Sequence, residues 1–349
     1  MQIISFFSWC WWLDLWFQLA WFNIIRANEF DKSITPTLQK NFPHIVLDNR
    51  DMRNLLFDEI PQSIWIIWWP PCQSWSEAWA WRWAEDSRWK LFFEYMKIIE
   101  EKKPLFFLAE NVSWILAEKH KNSFQEIIDG FNKIWYNLSV KLVNANDYWV
   151  PEDRLRVIIV GYSNKIWKKY IFPEPINRWL KLRDCIFDLQ KNVVPALTWN
   201  KPNSKLEIKN HEYFVWEYST MYMSRNRVRW RDEPSFTIQA WARHAPIHPQ
   251  APKMQFVEQD VRIFVPWKEH LYRRLSVREC ARIQTFPDNF EFIYSNVADG
   301  YKMIWNAVPV NLAYYLAQPI YKDIHEYLES KIILSEKPNF ALKTKFSLA

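Results

Sequence analysis

Short apolar runs and longer amphipathic stretches alternate along the first half of the chain. Apolar runs bounded by polar residues or proline predict strands at 2–7, 22–27, 64–68, 104–109, 138–143 and 156–161. Apolar residues recur with the spacing of one helical face over 90–101, and a second helix is predicted near 122–134. This alternation indicates an α/β fold built on a doubly wound sheet.

Residues suited to ligand binding stand where several predicted strands end. They are Ser8, Glu29, Pro70 and Glu110. Doubly wound sheets bind their ligands beyond the carboxyl ends of the strands. The pattern therefore predicts a ligand site along this edge of the sheet.

The second half of the chain has a different character. From about residue 173 to about 270, prolines, asparagines and basic residues dominate, and helical patterns return at 276–286 and 301–329. We predict three parts: a doubly wound domain over 1–172, a smaller loop-rich domain over 173–285, and a segment over 286–349 that packs back on the first domain.

Charge and cysteine content restrict the function less than the motifs do. A net charge of +6 permits binding to a polyanion without requiring it. The four cysteines, at 10, 72, 185 and 280, form no CxxC pair and no metal-type spacing with histidine. Free thiols are typical of a reducing cytosol, so we expect a cytoplasmic protein without a metal. Asp14 and Gln18 interrupt the aromatic N-terminal segment, which predicts neither a leader nor a membrane span.

Several short motifs follow one another in order along the chain. They are Pro70-Pro71-Cys72-Gln73, Glu110-Asn111-Val112, Arg154-x-Arg156, Arg278-Glu279-x-Ala281-Arg282-x-Gln284-x-Phe286-Pro287 and Asn306-Ala307-Val308-Pro309. From Phe6 to about Ala317 the chain thereby resembles the cytosine carbon-5 DNA methyltransferases, most closely the HaeIII type, which modifies GGCC. The resemblance implies a Rossmann-like S-adenosylmethionine-dependent catalytic domain and a target-recognition domain.

The resemblance assigns the catalytic chemistry to four residues. Cys72 would add as a thiolate to carbon 6 of a flipped cytosine, so that carbon 5 can attack a methyl sulfonium. Glu110 would stabilise the charge at ring nitrogen 3, and Arg156 would hold the carbonyl oxygen of the base. Arg154 would orient the site or contact a phosphate. Taken singly, Cys72 could be buried filler, Glu110 a solvated carboxylate and the arginines a surface pair.

A second set of residues would bind the methyl donor. Glu29 would accept bonds from the ribose hydroxyls, and Asp51 would bind the adenine amino group, although Asp51 could instead cap a helix and Asp48 competes for the same role. The rest of the pocket is assigned to Phe7, Leu13, Pro70, Asn306 and Val308.

The small domain would read double-stranded DNA. Arginine bonds guanine at two atoms in the major groove, and GGCC offers guanines on both strands. We predict that Arg225, Arg227 and Arg243 contact the DNA; generic phosphate binding is the alternative for each. The family further implies a monomer and, as a genetic partner only, a cognate restriction endonuclease.

Tryptophan stands where the family has glycine. Average usage of about 7% predicts roughly 24 glycines in a chain of this length, but the 349 residues include 3 glycines and 24 tryptophans. The family pattern Phe-x-Gly-x-Gly-Gly corresponds to Phe7-Ser8-Trp9-Cys10-Trp11-Trp12, and Trp149 and Trp305 also replace family glycines. The hypothesis is that the codon UGA encodes glycine in the source organism and was translated here as tryptophan.

Two other functions remain open at this stage. Indoles in the cofactor loop would fill the pocket, which would leave a catalytically dead DNA-binding protein. A tRNA cytosine-5 methyltransferase of the same superfamily is the other, although the sizeable arginine-bearing small domain argues against it.

Overall fold

A computed structural model describes residues 2–6, 23–61, 65–68, 90–176 and 180–336. Seven strands form one twisted sheet in the order β3-β2-β1-β4-β5-β7-β6. The strands are β1 Gln2–Phe6, β2 Asn23–Asn28, β3 Val46–Asp48, β4 Trp65–Trp68, β5 Phe106–Val112, β6 Tyr136–Asn144 and β7 Leu155–Ser163. The first five pair in parallel, whereas β7 runs antiparallel to both β5 and β6.

Helices and short strands complete the described part of the chain. The helices are α1 Thr35–Asn41, α2 Lys90–Lys102, α3 Lys121–Lys133, α4 Leu182–Ile186, α5 Thr220–Met223, α6 Val277–Ile283, α7 Val297–Asn306 and α8 Val310–Glu336. Two small strand pairs lie in the second half: β8 Val194–Pro195 with β9 Glu212–Tyr213, and β10 Gln255–Glu258 with β11 Val261–Ile263. None of the helices within these ranges is both long and apolar enough to cross a membrane.

The predicted doubly wound α/β architecture is confirmed. All six predicted strands are present, each shifted by no more than a few residues, and the helices at 90–101 and 122–134 are found at Lys90–Lys102 and Lys121–Lys133. Sequence analysis missed α1 and β3, which are short enough that neither shows a full period of its hydrophobic pattern.

The centre of the sheet is apolar on both faces. Phe106 and Leu108 of β5 pack into one core cluster, and Phe107 and Ala109 pack into the other. Burial on both sides explains why this strand reads as a continuous apolar run rather than as an alternation. The second cluster is covered by α2 and α3, while the first is covered by α6, α7 and α8. The helices α6, α7 and α8 thus pack back on the sheet.

The second half contributes a small core of its own. It consists of Tyr222, Val228, Ile247, Ala251, Met254 and Tyr272, all at most 6% exposed. By contrast, Leu182 and Ile186 of α4 belong to the large cluster of the sheet. A separate core around Tyr222 is consistent with a distinct small domain, whose bounds at 173 and 285 stay a prediction.

Tryptophans occupy left-handed backbone positions. Ten described non-glycine residues have positive φ, and five of them are Trp135, Trp149, Trp167, Trp199 and Trp267, with φ between 55° and 71°. None of the three glycines has positive φ. A left-handed conformation costs a residue with a Cβ about 1–2 kcal/mol, whereas glycine adopts it freely.

These tryptophans lie in turns, where their side chains gain little. Trp135 follows the end of α3, and its amide donates to the carbonyl of Asn132. This is the place at which helices commonly end in glycine. Trp135, Trp167, Trp199 and Trp267 are 73–91% exposed, so packing does not offset the backbone strain.

We expect Trp167→Gly and Trp199→Gly each to raise the free energy of unfolding by about 1 kcal/mol, because glycine relieves the strain at positive φ. The measurement is chemical denaturation. Trp216→Gly is the matched control, because Trp216 is 59% exposed and is not among the residues with positive φ. The control should lose about 0.5–1 kcal/mol through backbone entropy. An equal loss in all three variants would contradict the strain argument.

Candidate active site

Glu110 lies inside β5 rather than after it. Sequence analysis ended this strand at residue 109, but pairing with β7 continues to Val112, which lies opposite Arg156. The antiparallel neighbour supplies backbone partners that a hydropathy pattern does not register. The Glu110 side chain therefore projects from a paired and rigid backbone.

Glu110 and Arg156 form a buried ion pair. The Nε of Arg156 lies 2.7 Å from Oε1 of Glu110, and each residue is 6% exposed. Glu110 lies opposite Ile158 and Val112 opposite Arg156, so the charged residues are diagonal neighbours on one face of the two strands. This burial does not fit a solvated carboxylate and a surface arginine.

The environment adjusts the acidity of Glu110 in two opposing directions. Burial raises the pKa of the carboxyl group, and the positive charges of Arg156 and Arg154 counteract this rise. The pKa of Glu110 remains above its ordinary value. A carboxyl group that keeps its proton to higher pH is suited to donate it to a substrate.

Arg154 is turned into the protein, not toward solvent. It is 1% exposed, and its Nη2 donates to the carbonyls of Trp305 (2.6 Å) and Ala307 (2.8 Å). Of the two roles predicted for Arg154, these contacts match orientation of the site better than a bond to phosphate. They also hold the turn that contains Asn306 next to the start of β7.

Glu29 stands at the carboxyl edge of the sheet, as predicted. It follows β2 directly, is 3% exposed, and accepts the amide of Asp31 at 2.7 Å. Asp31 in turn pairs with Lys302 of α7 at 2.7 Å. This contact links the helix that ends at Asn306 to the end of β2, so both predicted halves of the cofactor pocket lie at one edge of the sheet.

The two candidate adenine-binding carboxylates are both engaged within the protein. Asp51 caps the short 3-10 helix Met52–Asn54, and its Oδ1 accepts the amide of Arg53 at 2.9 Å. Asp48 is 8% exposed and lies 2.6 Å from Arg26 and 2.8 Å from Arg50, which hold its pKa far below the ordinary value. Asp51 thus has the capping role that sequence analysis kept as its alternative, while adenine binding by Asp51 stays a prediction.

The residues at this edge suit S-adenosylmethionine in the chemistry of their donors. A buried carboxylate at Glu29 can accept bonds from two ribose hydroxyls. Val308 follows Asn306 by two positions, is 1% exposed, and packs into the large core cluster of the sheet. The predicted residues Phe7, Leu13, Pro70 and Cys72 lie outside the described residues.

The three predicted DNA-binding arginines differ in solvent exposure and in their hydrogen bonds within the protein. Arg225 and Arg243 are exposed, and the guanidinium of Arg243 lies 5.1 Å from the ring centre of Trp241. Arg227 is half-buried and donates to the carbonyls of Tyr222 and Met221 at 2.9 and 3.1 Å. Arg225 and Arg243 are therefore available to a ligand, and Arg227 supports the chain segment that carries Arg225.

Glu152, which lies close to Arg154, was not predicted from the sequence. It is fully buried, with Oε1 3.9 Å from Nη1 of Arg154, and accepts the amide of Ile238 at 2.7 Å. The signal was present in the sequence, because Glu152 precedes Arg154 by two positions and so extends the same motif. An acidic residue in an exposed-looking loop gave no reason to expect burial.

Known proteins resemble this chain over nearly its whole length. The family described as C-5 cytosine-specific DNA methylase matches residues 1–322. The Type II methyltransferase M.MthTI of Methanothermobacter thermautotrophicus is 50% identical over 94% of this chain and 99% of its own length. M.FnuDI of Fusobacterium nucleatum, also a Type II methyltransferase, is 45% identical over 97% of this chain and all of its own.

Solved structures agree on the fold. The Entamoeba histolytica methyltransferase EhMeth superposes with a TM-score of 0.69 at 15% identity, over 93% of this chain and 98% of its own. The Dnmt2 methyltransferase of S. pombe has a TM-score of 0.62 at 14% identity, over 93% and 99% of the two chains. The buried Glu110–Arg156 pair joins β5 and β7 of a Rossmann-like sheet, and the family match runs from residue 1 to residue 322. The chain belongs to the C-5 cytosine-specific DNA methylases.

Proposed function

We propose that the protein transfers a methyl group from S-adenosylmethionine to carbon 5 of a flipped cytosine in duplex DNA. The observation that carries the proposal is the buried Glu110–Arg156 pair beside the end of β4. Trp68 of β4 lies opposite Ala109 of β5, and Cys72 follows Trp68 by four positions. Four residues of chain reach at most about 14 Å, so the length of this connection allows Cys72 to approach the Glu110 carboxyl group.

Each catalytic residue has a separate task in this reaction. Cys72 adds to carbon 6 of the ring as a thiolate, and the displaced electrons reach ring nitrogen 3, where Glu110 donates a proton. The enamine so formed is nucleophilic at carbon 5. S-adenosylmethionine, when bound, supplies the electrophilic methyl group. Loss of the carbon-5 proton to solvent then restores the ring double bond and expels the sulfur of Cys72, and ring nitrogen 3 returns its proton to the Glu110 carboxylate.

Two arginines at the start of β7 support this chemistry: Arg156 lies in the strand, and Arg154 directly precedes it. Arg156 contacts Glu110 and can also hold the carbonyl oxygen of the base, which accumulates negative charge as sulfur adds. Arg154 acts as a positioning residue, because it binds the carbonyls on either side of Asn306. Glu29, Asn306 and Val308 would hold the ribose and adenine side of the methyl donor, with Phe7, Leu13, Pro70 and Asp51 completing the pocket.

The small domain is proposed to recognise the sequence GGCC. Arg225 and Arg243 are exposed in the loops around the small core, as guanine-reading side chains must be. The Type II relatives support a role as the modification partner of a restriction endonuclease. A monomer in the cytoplasm is the expected working form.

We further propose that many of the tryptophans stand for glycines encoded by UGA. Five tryptophans with positive φ, against no glycine with positive φ, support this proposal independently of the family pattern. Trp149 both stands at a glycine position of the family pattern and has positive φ. Trp305 also stands at a family glycine position, but it lies within α7, and its φ is not positive. UGG codons at these positions in the gene would exclude the proposal, and the cofactor loop at Trp9, Trp11 and Trp12 would then block methyl transfer.

Cys72→Ser should abolish methyl transfer and preserve specific DNA binding, because serine lacks a nucleophile of thiolate strength. The assay measures incorporation of labelled methyl groups into GGCC duplexes. It uses the chain as printed and a second form with glycine at the tryptophan positions of the family pattern. The conservative control is Cys185→Ser, since Cys185 is only partly exposed and lies outside the proposed site. Turnover retained by Cys72→Ser would refute the assigned nucleophile.

Glu110→Gln should lower the methylation rate by about 100-fold or more, because the amide cannot donate an acidic proton. In the parent, the rate should fall as pH rises through the elevated pKa of Glu110, since the proton is then lost. That decline should vanish in Glu110→Gln, which does not titrate. Glu118→Gln serves as control, because Glu118 is 86% exposed and pairs with Lys121 on the protein surface. A pH profile of unchanged shape would argue against proton donation by Glu110.

Arg243→Ala should weaken binding to a GGCC duplex by about 1–3 kcal/mol and narrow the preference over a duplex with one changed G·C pair. Arg227→Ala should instead lower stability, because two carbonyls lose their donor. The measurement is a binding titration at several salt concentrations. A loss that is equal for all sequences, with a salt dependence reduced by about one charge, would assign Arg243 to a phosphate.

A further inference from the structure

A strip of hydrogen bonds joins the start of β7 to the small domain. The amide of Ser235 donates to the carbonyl of Pro151 at 2.8 Å, and the amide of Asp153 donates to the carbonyl of Ser235 at 2.9 Å. The hydroxyl of Thr237 donates to the carbonyl of Asp153, and the amide of Ile238 donates to Oε1 of Glu152. We call residues 151–153 and 235–238 the junction.

The junction has a catalytic end and a recognition end. In one direction the chain runs from Asp153 into Arg154 and Arg156, and Arg156 contacts Glu110 at 2.7 Å. In the other direction it runs from Ile238 to the short helix Ala242–His244, whose Arg243 is exposed. The hydrogen bonds of the junction therefore connect the segment that carries Arg243, the proposed base-reading residue, to the segment that carries Arg156, the proposed catalytic residue.

The Glu152 side chain contacts residues at both ends of the junction. It is fully buried, its Oε1 accepts the Ile238 amide at 2.7 Å, and the same oxygen lies 3.9 Å from Nη1 of Arg154. Its Oε2 is buried without a hydrogen-bond partner among the described residues. Burial of a carboxyl group with one unpartnered oxygen lowers the stability of the fold. We therefore ask what the contacts of Glu152 contribute besides stability.

A second contact ties the same segment to the small domain. Nη2 of Arg229 lies 2.7 Å from Oδ2 of Asp153, and the guanidinium of Arg229 stacks 4.1 Å from the ring centre of Phe236. This pair is partly exposed, so it can be altered without opening the core.

We propose that Glu152 is a positioning residue that couples the base-reading segment of the small domain to the catalytic arginines. When DNA moves the segment that carries Arg243, the Ile238 amide and the Glu152 carboxyl group move with it. Arg154 and the turn at Asn306 then shift together with the start of β7. The inference rests on the proposed roles of Arg156 and Arg243.

The test compares Glu152→Ala and Glu152→Gln in the form of the chain that methylates GGCC. Glu152→Ala should lower the single-turnover rate by about 100-fold, because a small displacement of a catalytic group has that effect. The ratio of the methylation rate on GGCC to the rate on a duplex with one changed base pair should also decrease. The affinity for the GGCC duplex should change by less than about fivefold. Glu152→Gln should stay within about fivefold of the parent, because its amide oxygen still accepts from Ile238.

A matched control separates positioning from the loss of any buried glutamate. Glu212 is 1% exposed and accepts the hydroxyl of Tyr294 at 2.7 Å, away from the junction. Glu212→Ala should lower thermal stability without changing the rate ratio between the two duplexes. Hydrogen exchange gives a readout that does not depend on turnover, because the Ile238 amide should lose its protection in Glu152→Ala only.

The outcomes distinguish the inference from the function on which it rests. A parent chain that transfers no methyl group in either form contradicts the proposed function. In an active parent, a folded Glu152→Ala with the parent's rate and rate ratio overturns the inference alone. Should Glu152→Ala not fold, Asp153→Asn decides, because its side chain is 38% exposed. An unchanged rate ratio in Asp153→Asn then overturns the coupling, and a narrowed ratio supports it.

Discussion

A carboxyl group and a guanidinium, 2.7 Å apart and almost without access to water, are the constraint around which the site is built. Removing either charge alone would leave the other buried and unpaired, which costs several kcal/mol. The antiparallel pairing of β7 with β5 is what brings Glu110 and Arg156 together. A parallel neighbour at that position would bring a different residue beside Glu110. The antiparallel direction of β7 therefore determines that an arginine lies beside the Glu110 carboxyl group.

Residues 152–156, at the start of β7, contact three parts of the molecule. Arg154 binds the carbonyls at the end of α7, Glu152 binds the amide of Ile238, and Arg156 reaches the proposed acid. These contacts are buried or partly buried, so solvent screens their energies little. A short stretch of chain thus contacts the end of α7, the segment at Ile238 and the carboxyl group of Glu110.

The left-handed tryptophans show that a backbone can favour glycine at a position where the residue is not glycine. At Trp135 and Trp167 the turn geometry is that of glycine, yet the residue is the bulkiest of all. The three glycines present serve a different need: a Cβ at Gly161 would lie 2.2 Å from the ring of Phe107, so close packing requires its absence. Both kinds of position restrict the residue, one through φ and the other through space.

The sequence by itself determined the α/β class, most strand and helix positions, and the ordered motifs, because hydrophobic periodicity and motif spacing are local properties. It could not determine that Glu110 is inside a strand, that Arg154 faces inward, or that Arg227 supports a loop, since each depends on partners far away in the chain. The ion pair joins residues 46 positions apart, 156 − 110. Glu152 was overlooked for the same reason. Burial and partnership are decided only when distant segments meet, and no local pattern records them.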